Sequence, residues 1–174
     1  PRMPGFLDQQ LAVFKVVFPQ DEALSLSRLA EYFVEMDRPE PAALAASVLA
    51  QSFPEDPNAS IARALVFAHL ERSADFEREV TQIASDVSSG RTVADWDRRV
   101  QRAIVLALAR RHDLARGEIA TCVAEASEES LLELTSLEAH RLTTLARGYG
   151  ISFADPKLAQ LAAQLGAEYS GDGK

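Results

Sequence analysis

Apolar residues recur along this chain at three- and four-residue intervals, broken by proline, glycine and short polar residues. That period belongs to amphipathic helices; no sustained two-residue alternation predicts a strand. Residues 6–18 place Leu7, Leu11, Phe14, Val17 and Phe18 on one stripe, which Pro19 ends. Asp21 then caps a helix running to about Asp37, with Leu26, Leu29, Ala30 and Phe33 inside. The turn Arg38-Pro39-Glu40-Pro41 leads into an alanine-rich helix over about 40–53. Pro54 and Pro57 break the chain, and Asn58 can cap a helix to about Glu71. Ser73 opens a helix over 74–87, with Phe76, Val80, Ile83, Ala84 and Val87 on one face. After the Ser88-Ser89-Gly90 loop comes a long helix, about 93–112, apolar all round from Ala103 to Ala109 and so predicted to be buried on more than one side. Helices over about 114–126, from Ser127 to about Tyr149, and from Asp155-Pro156 to about Leu165 complete the chain. Nine helices with short connections must lie antiparallel to their neighbours.

The pattern also repeats. Phe18-Pro19-Gln20-Asp21 returns 35 positions later as Phe53-Pro54-Glu55-Asp56, and Leu26-x-x-Leu29-Ala30-x-x-Phe33 returns as Leu142-x-x-Leu145-Ala146-x-x-Tyr149. A period near 34 residues with this internal spacing predicts stacked helical hairpins. Weaker copies keep the spacing at Ile61, Ala64, Leu65 and Ala68, and at Val105, Leu108, Ala109 and His112. Matched helices are then 35, 44 and 37 residues apart, which puts an insertion around Ser88 to Asp97.

In these residues the chain resembles the tetratricopeptide repeat (TPR) family. That family carries a bulky residue, Leu, a small residue and an aromatic at these four places, with a proline after the second helix, here Pro54. The resemblance implies an all-α solenoid of antiparallel hairpins in one domain over 6–168. It also implies a non-catalytic protein–protein interaction scaffold that binds a peptide or helix of a partner or mediates assembly. An alternative is a structural or regulatory helical arm of a larger enzyme or secretion-type assembly, because residues 6–18 look like a second helix without its first. The chain is on this expectation a segment of a longer protein, with 1–5 an expression remnant and 169–174 a frayed tail. The family's clamp for chaperone tails is missing, so the inner groove is expected to hold a ligand mainly by apolar contact, through residues such as Val34, Val66 and Leu106.

Charge sharpens the choice of partner. The net charge of −8 argues against general nucleic-acid binding. The longest apolar run, Ala103 to Ala109, is far too short to span a membrane, and a soluble setting, cytoplasmic by preference, is expected. Seven arginines lie between Arg91 and Arg116, whereas Gly117 to His140 holds six glutamates and no Lys or Arg. Arg98, Arg99 and Arg102 fall within two turns and predict a cationic strip that docks an acidic segment of a partner protein. The competing expectation pairs them with the chain's own glutamates over 118–138.

Catalytic patterns are sparse. His69, His112 and His140 lack the three- or four-residue spacing of helical metal ligands. Cys122 lies between Ile119 and Val123 in an acidic stretch, which disfavours a thiolate. Only a folding together of His112, Cys122 and glutamates would make an enzyme. No catalytic residue, metal or cofactor is expected. Trp96, with Val93 and Val100 on its face, is expected to be partly buried.

Overall fold

In the computed structural model the described residues are 21–91, 93 and 95–171, together with Gly5, Gln9 and Ala12, which are helical. The helix expected over 6–18 and the remnant expected at 1–5 otherwise lie outside the described residues. Nine helices follow: α1 Glu22–Glu35, α2 Pro39–Ser52, α3 Pro57–His69, α4 Ser73–Ser88, α5 Trp96–Leu108, α6 His112–Glu125, α7 Glu128–Leu132, α8 Ser136–Gly148 and α9 Pro156–Gly171. The fold is all-α, and no strand occurs among the described residues.

The chain divides into two compact units, Pro1–Arg91 and Thr92–Lys174, where the sequence reading carried one domain. The division falls inside the segment expected to hold an insertion. In the first unit α1 pairs with α2 and α3 with α4, and α3 also packs against both α1 and α2. The second unit repeats this plan. There α5 pairs with α6 and α8 with α9, and α8 packs against both α5 and α6. Each unit has its own apolar core. One is built on Leu26, Leu29, Phe33, Leu49 and Val66, the other on Ile104, Ile119, Cys122, Leu131 and Leu142.

Local chemistry sets the helix starts. Asp21 accepts from Leu24 N at 2.8 Å and Asp56 from Ala59 N at 3.0 Å, so the repeated aspartate of the Phe-Pro motif caps both helices. Asn58, expected as that cap, lies inside α3 instead. The single helix expected from Ser127 to Tyr149 is two, because Thr135 and Glu138 form a capping box that starts α8. The helix expected over 93–112 is shorter at both ends, and α9 continues through residues 169–171, which were expected to fray.

The helix ends reveal the true register. α1, α3, α5 and α8 each end on a left-handed residue: Asp37 (φ 49°), Glu71 (φ 56°), Arg110 (φ 58°) and Gly150 (φ 69°). The next amide closes back on the helix, Arg38 N to Phe33 O, Arg72 N to Phe67 O, Arg111 N to Leu106 O and Ile151 N to Ala146 O, at 2.8–2.9 Å. These are Schellman ends. They lie 34, 39 and 40 residues apart, not the 35, 44 and 37 of the sequence match. Phe33, Phe67, Leu106 and Ala146 are thus equivalent, and so are Ala30, Ala64, Ala103 and Thr143. The first three hairpins carry a fully buried alanine at this place and the fourth carries Thr143, which is half-exposed.

Candidate functional site

The corrected register places Arg63 and Arg102 where the outer hairpins carry Leu29 and Leu142. Sixteen residues on, the second helices carry Ala45, Glu79, Glu118 and Leu158 in the same order. Both outer pairs are apolar core, and both inner pairs are ion pairs: Arg63 Nη2 to Glu79 Oε2 at 2.8 Å and Arg102 Nη2 to Glu118 Oε2 at 2.6 Å. All four charged side chains are buried or nearly so. Arg63 also donates to the carbonyls of Phe53 and Pro54 at 3.2 Å, of Leu49 at 3.5 Å and to Ser60 Oγ at 3.0 Å. It ties the end of α2 and the turn after it to α3 and α4.

The arginines expected to form a docking strip are engaged within the second unit. Arg98 is fully buried and donates to Gln101 Oε1 at 2.5 Å. Gln101 in turn donates to Glu138, the residue that caps α8 by accepting from Thr135 N at 2.9 Å. Arg99 pairs with Glu125 and Arg102 with Glu118. The geometry therefore matches the internal-pairing alternative, and a strip of Arg98, Arg99 and Arg102 facing a partner is corrected. The physical reason is adjacency: consecutive antiparallel helices set a basic face of α5 against acids of α6 and of the α8 start.

The expected groove residues also sit elsewhere. Val66 and Leu106 are buried, and Val34 is half-buried against the first unit's core. They were assigned from a register that was off by one residue in the second hairpin and by six in the third. A shift of three residues, as in the fourth hairpin, keeps an amphipathic stripe nearly in phase, but shifts of one and six turn it by about 100° and 120°. In the second hairpin the match inverted small and large at Ala64 and Leu65, and in the third it put His112 at the aromatic place.

One open groove of the second unit lies between α5 and α8. It has a volume of about 270 Å3 and is lined by Ile104, Ala107, Leu108, His140, Thr144 and Leu145, with Arg141 at its edge. Leu108 is 50% exposed, although it belongs to the apolar run expected to be buried on more than one side. Arg110 follows Leu108 at the end of α5. Among the described residues neither Arg110 nor Arg141 makes an ion pair. Sequence reasoning missed this site. The available signal was Leu108 itself, the last large apolar residue before a polar turn.

Cys122 is buried, and burial pushes its thiol up to about 12. Its carbonyl accepts from Trp96 Nε1 at 3.0 Å, which fixes the half-buried indole as a brace between α5 and α6. His112 Nδ1 lies 3.2 Å from Tyr149 OH on an exposed face. His69 faces Asp37 at 3.3 Å. Among the described residues no group of three or more His, Cys, Asp or Glu is placed to hold a metal ion. No described helix is long and apolar enough to cross a membrane. No protein-family model, no curated protein and no solved structure matches this chain.

Proposed function

We propose that this chain is a non-catalytic interaction module of the tetratricopeptide type, which holds a segment of a partner protein in the groove between α5 and α8. The observation that carries this reading is the half-exposed Leu108 beside an apolar groove edged by Arg141 and followed by Arg110. A buried alanine at the equivalent place of the first three hairpins supports the family resemblance. The partner segment presents one large apolar side chain to Leu108, Ile104 and Leu145 and one or more carboxylates to the arginines. Apolar contact supplies the affinity and the charges supply orientation and on-rate.

A random peptide library selected on the purified chain tests the reading. Enriched peptides should combine a leucine or aromatic residue with neighbouring acids. Covering the exposed half of Leu108 is worth on the order of 1 kcal/mol, and a carboxylate there would also be repelled by an acidic ligand. Leu108→Glu should therefore weaken the selected peptides at least tenfold, and Arg141→Glu should weaken them and flatten their salt dependence. Peptides that bind both variants as well as the parent chain would refute the proposal.

A further inference from the structure

Each unit seats the first helix of one hairpin in the groove of the hairpin before it. α3 lies against α1 and α2, and α8 lies against α5 and α6. The last hairpin, α8 with α9, presents the same groove open, with a volume of about 540 Å3.

The equivalence can be followed residue by residue, because α5 and α8 end 40 residues apart. In the occupied groove Val100, Ala103 and Ile104 of α5 and Ile119 and Val123 of α6 belong to the core that includes Ala139, Leu142 and Ala146 of α8. All five are buried. Their counterparts are His140, Thr143 and Thr144 of α8 and Ala159 and Ala163 of α9, and these all line the open groove. None of them is buried, and Thr144 and Ala163 are exposed.

Two features suit this groove to a helix. Its floor is close to bare backbone: a Cβ on Gly166 would stand 2.9 Å from His140 Cα, so α9 lies hard against α8, and Ala159 and Ala163 add little bulk. An incoming helix can approach closely over such a floor. The hydroxyl of Thr143 is satisfied by its own helix, donating to Ala139 O at 3.0 Å and His140 O at 2.9 Å, so the side chain offers its methyl group outward. At one end Arg147 lines the groove without an ion pair among the described residues.

We propose that the α8–α9 groove is a docking seat for one amphipathic α-helix supplied by a partner chain, received as α8 is received by α5 and α6. The incoming helix carries a small–large–small stripe at i, i+3 and i+7, the spacing of Ala139, Leu142 and Ala146, and a carboxylate that meets Arg147. This seat adjoins the α5–α8 groove and shares His140 and Thr144 with it, but Leu108 lines only that groove and Ala163 only the seat. Helix-in-groove recognition reads such spaced anchors directly.

The probe is a labelled 15-residue peptide with the sequence of residues 135–149 in which the two arginines are replaced by glutamate, followed by fluorescence anisotropy. The expected Kd is on the order of 10 μM. Ala163→Arg places a long charged side chain in the seat from an exposed position and should weaken binding at least tenfold, with the melting curve unchanged. Arg147→Glu should weaken the acidic peptide, and a peptide with the arginines restored should recover affinity for that variant. Leu108→Glu should leave this binding intact, which separates the seat from the proposed peptide groove. Equal binding to the Ala163→Arg variant, or no binding up to about 1 mM, overturns the proposal. Self-association of the chain that Ala163→Arg abolishes would also overturn it, assigning the seat to a second copy.

Discussion

Arg63 and Glu79 offer a direct test of why the inner hairpins hold charge where the outer ones hold leucine. Their side chains are 4% and 8% exposed and meet at 2.8 Å. Removing one partner of such a pair strands the other charge away from water, at a cost of about 3–5 kcal/mol. Glu79→Ala should therefore destabilise the first unit by about that amount. Arg63→Leu should cost at least as much, because it strands Glu79 and also removes donors from the carbonyls of Leu49, Phe53 and Pro54. Those three bonds are worth on the order of 1 kcal/mol each. The double substitution, Arg63→Leu with Glu79→Ala, reproduces the Leu29–Ala45 pair of the first hairpin. It leaves neither charge of the pair and loses the carbonyl bonds and the bond to Ser60 Oγ, so its deficit should be about 2–4 kcal/mol, smaller than the sum of the two single changes. The assay is urea unfolding followed by circular dichroism, with amide exchange in α3 and α4 as the local readout. The cycle should give a coupling of about 3 kcal/mol or more between the two positions. A double variant as unstable as the two single losses summed would refute the claim that charge compensation holds this hairpin.

Four further outcomes are expected. Cys122 should resist thiol reagents at pH 8 until the chain unfolds, and rapid labelling of the native protein would contradict its burial. Because its pKa is raised in the folded state from an ordinary 9.0 to about 12, the thiol's contribution is complete below pH 9 and declines by about 1.4 kcal/mol per pH unit above it; Cys122→Ala should abolish that part of the alkaline loss measured by chemical unfolding. Asp56→Ala removes the N-cap of α3 and should lower stability by about 1 kcal/mol in the same assay. Glu71→Gly relieves a left-handed backbone at φ 56° and should raise stability by about 0.5–1 kcal/mol, whereas Gly150→Ala at φ 69° should lower it.

Several elements were legible in the residues alone. The apolar spacing predicted the helices and their antiparallel neighbours, and Asp21 and Asp56 recur because each satisfies the same free amides. The half-burial of Trp96 followed from its apolar neighbours. The break before α8 was also written in the chain, since Thr135-Ser136-Leu137-Glu138 is a capping box, but the acid-rich start at Ser127 obscured it.

Register and exposure depended on tertiary structure. A helical stripe looks nearly the same after a shift of three or four residues, so Leu142, Leu145, Ala146 and Tyr149 matched the first copy while standing three places out of register. Only the left-handed ends at Asp37, Glu71, Arg110 and Gly150 align the hairpins, and two of these four, Glu71 and Arg110, are residues that announce no such turn. The arginines likewise had two possible partners in the sequence, and the packing of α5 against α6 and α8 chose the internal one. Spacing along a chain determines which face of a helix is apolar; which part of that face remains open, at Leu108 or along α8 and α9, is decided by the helices that arrive to cover it.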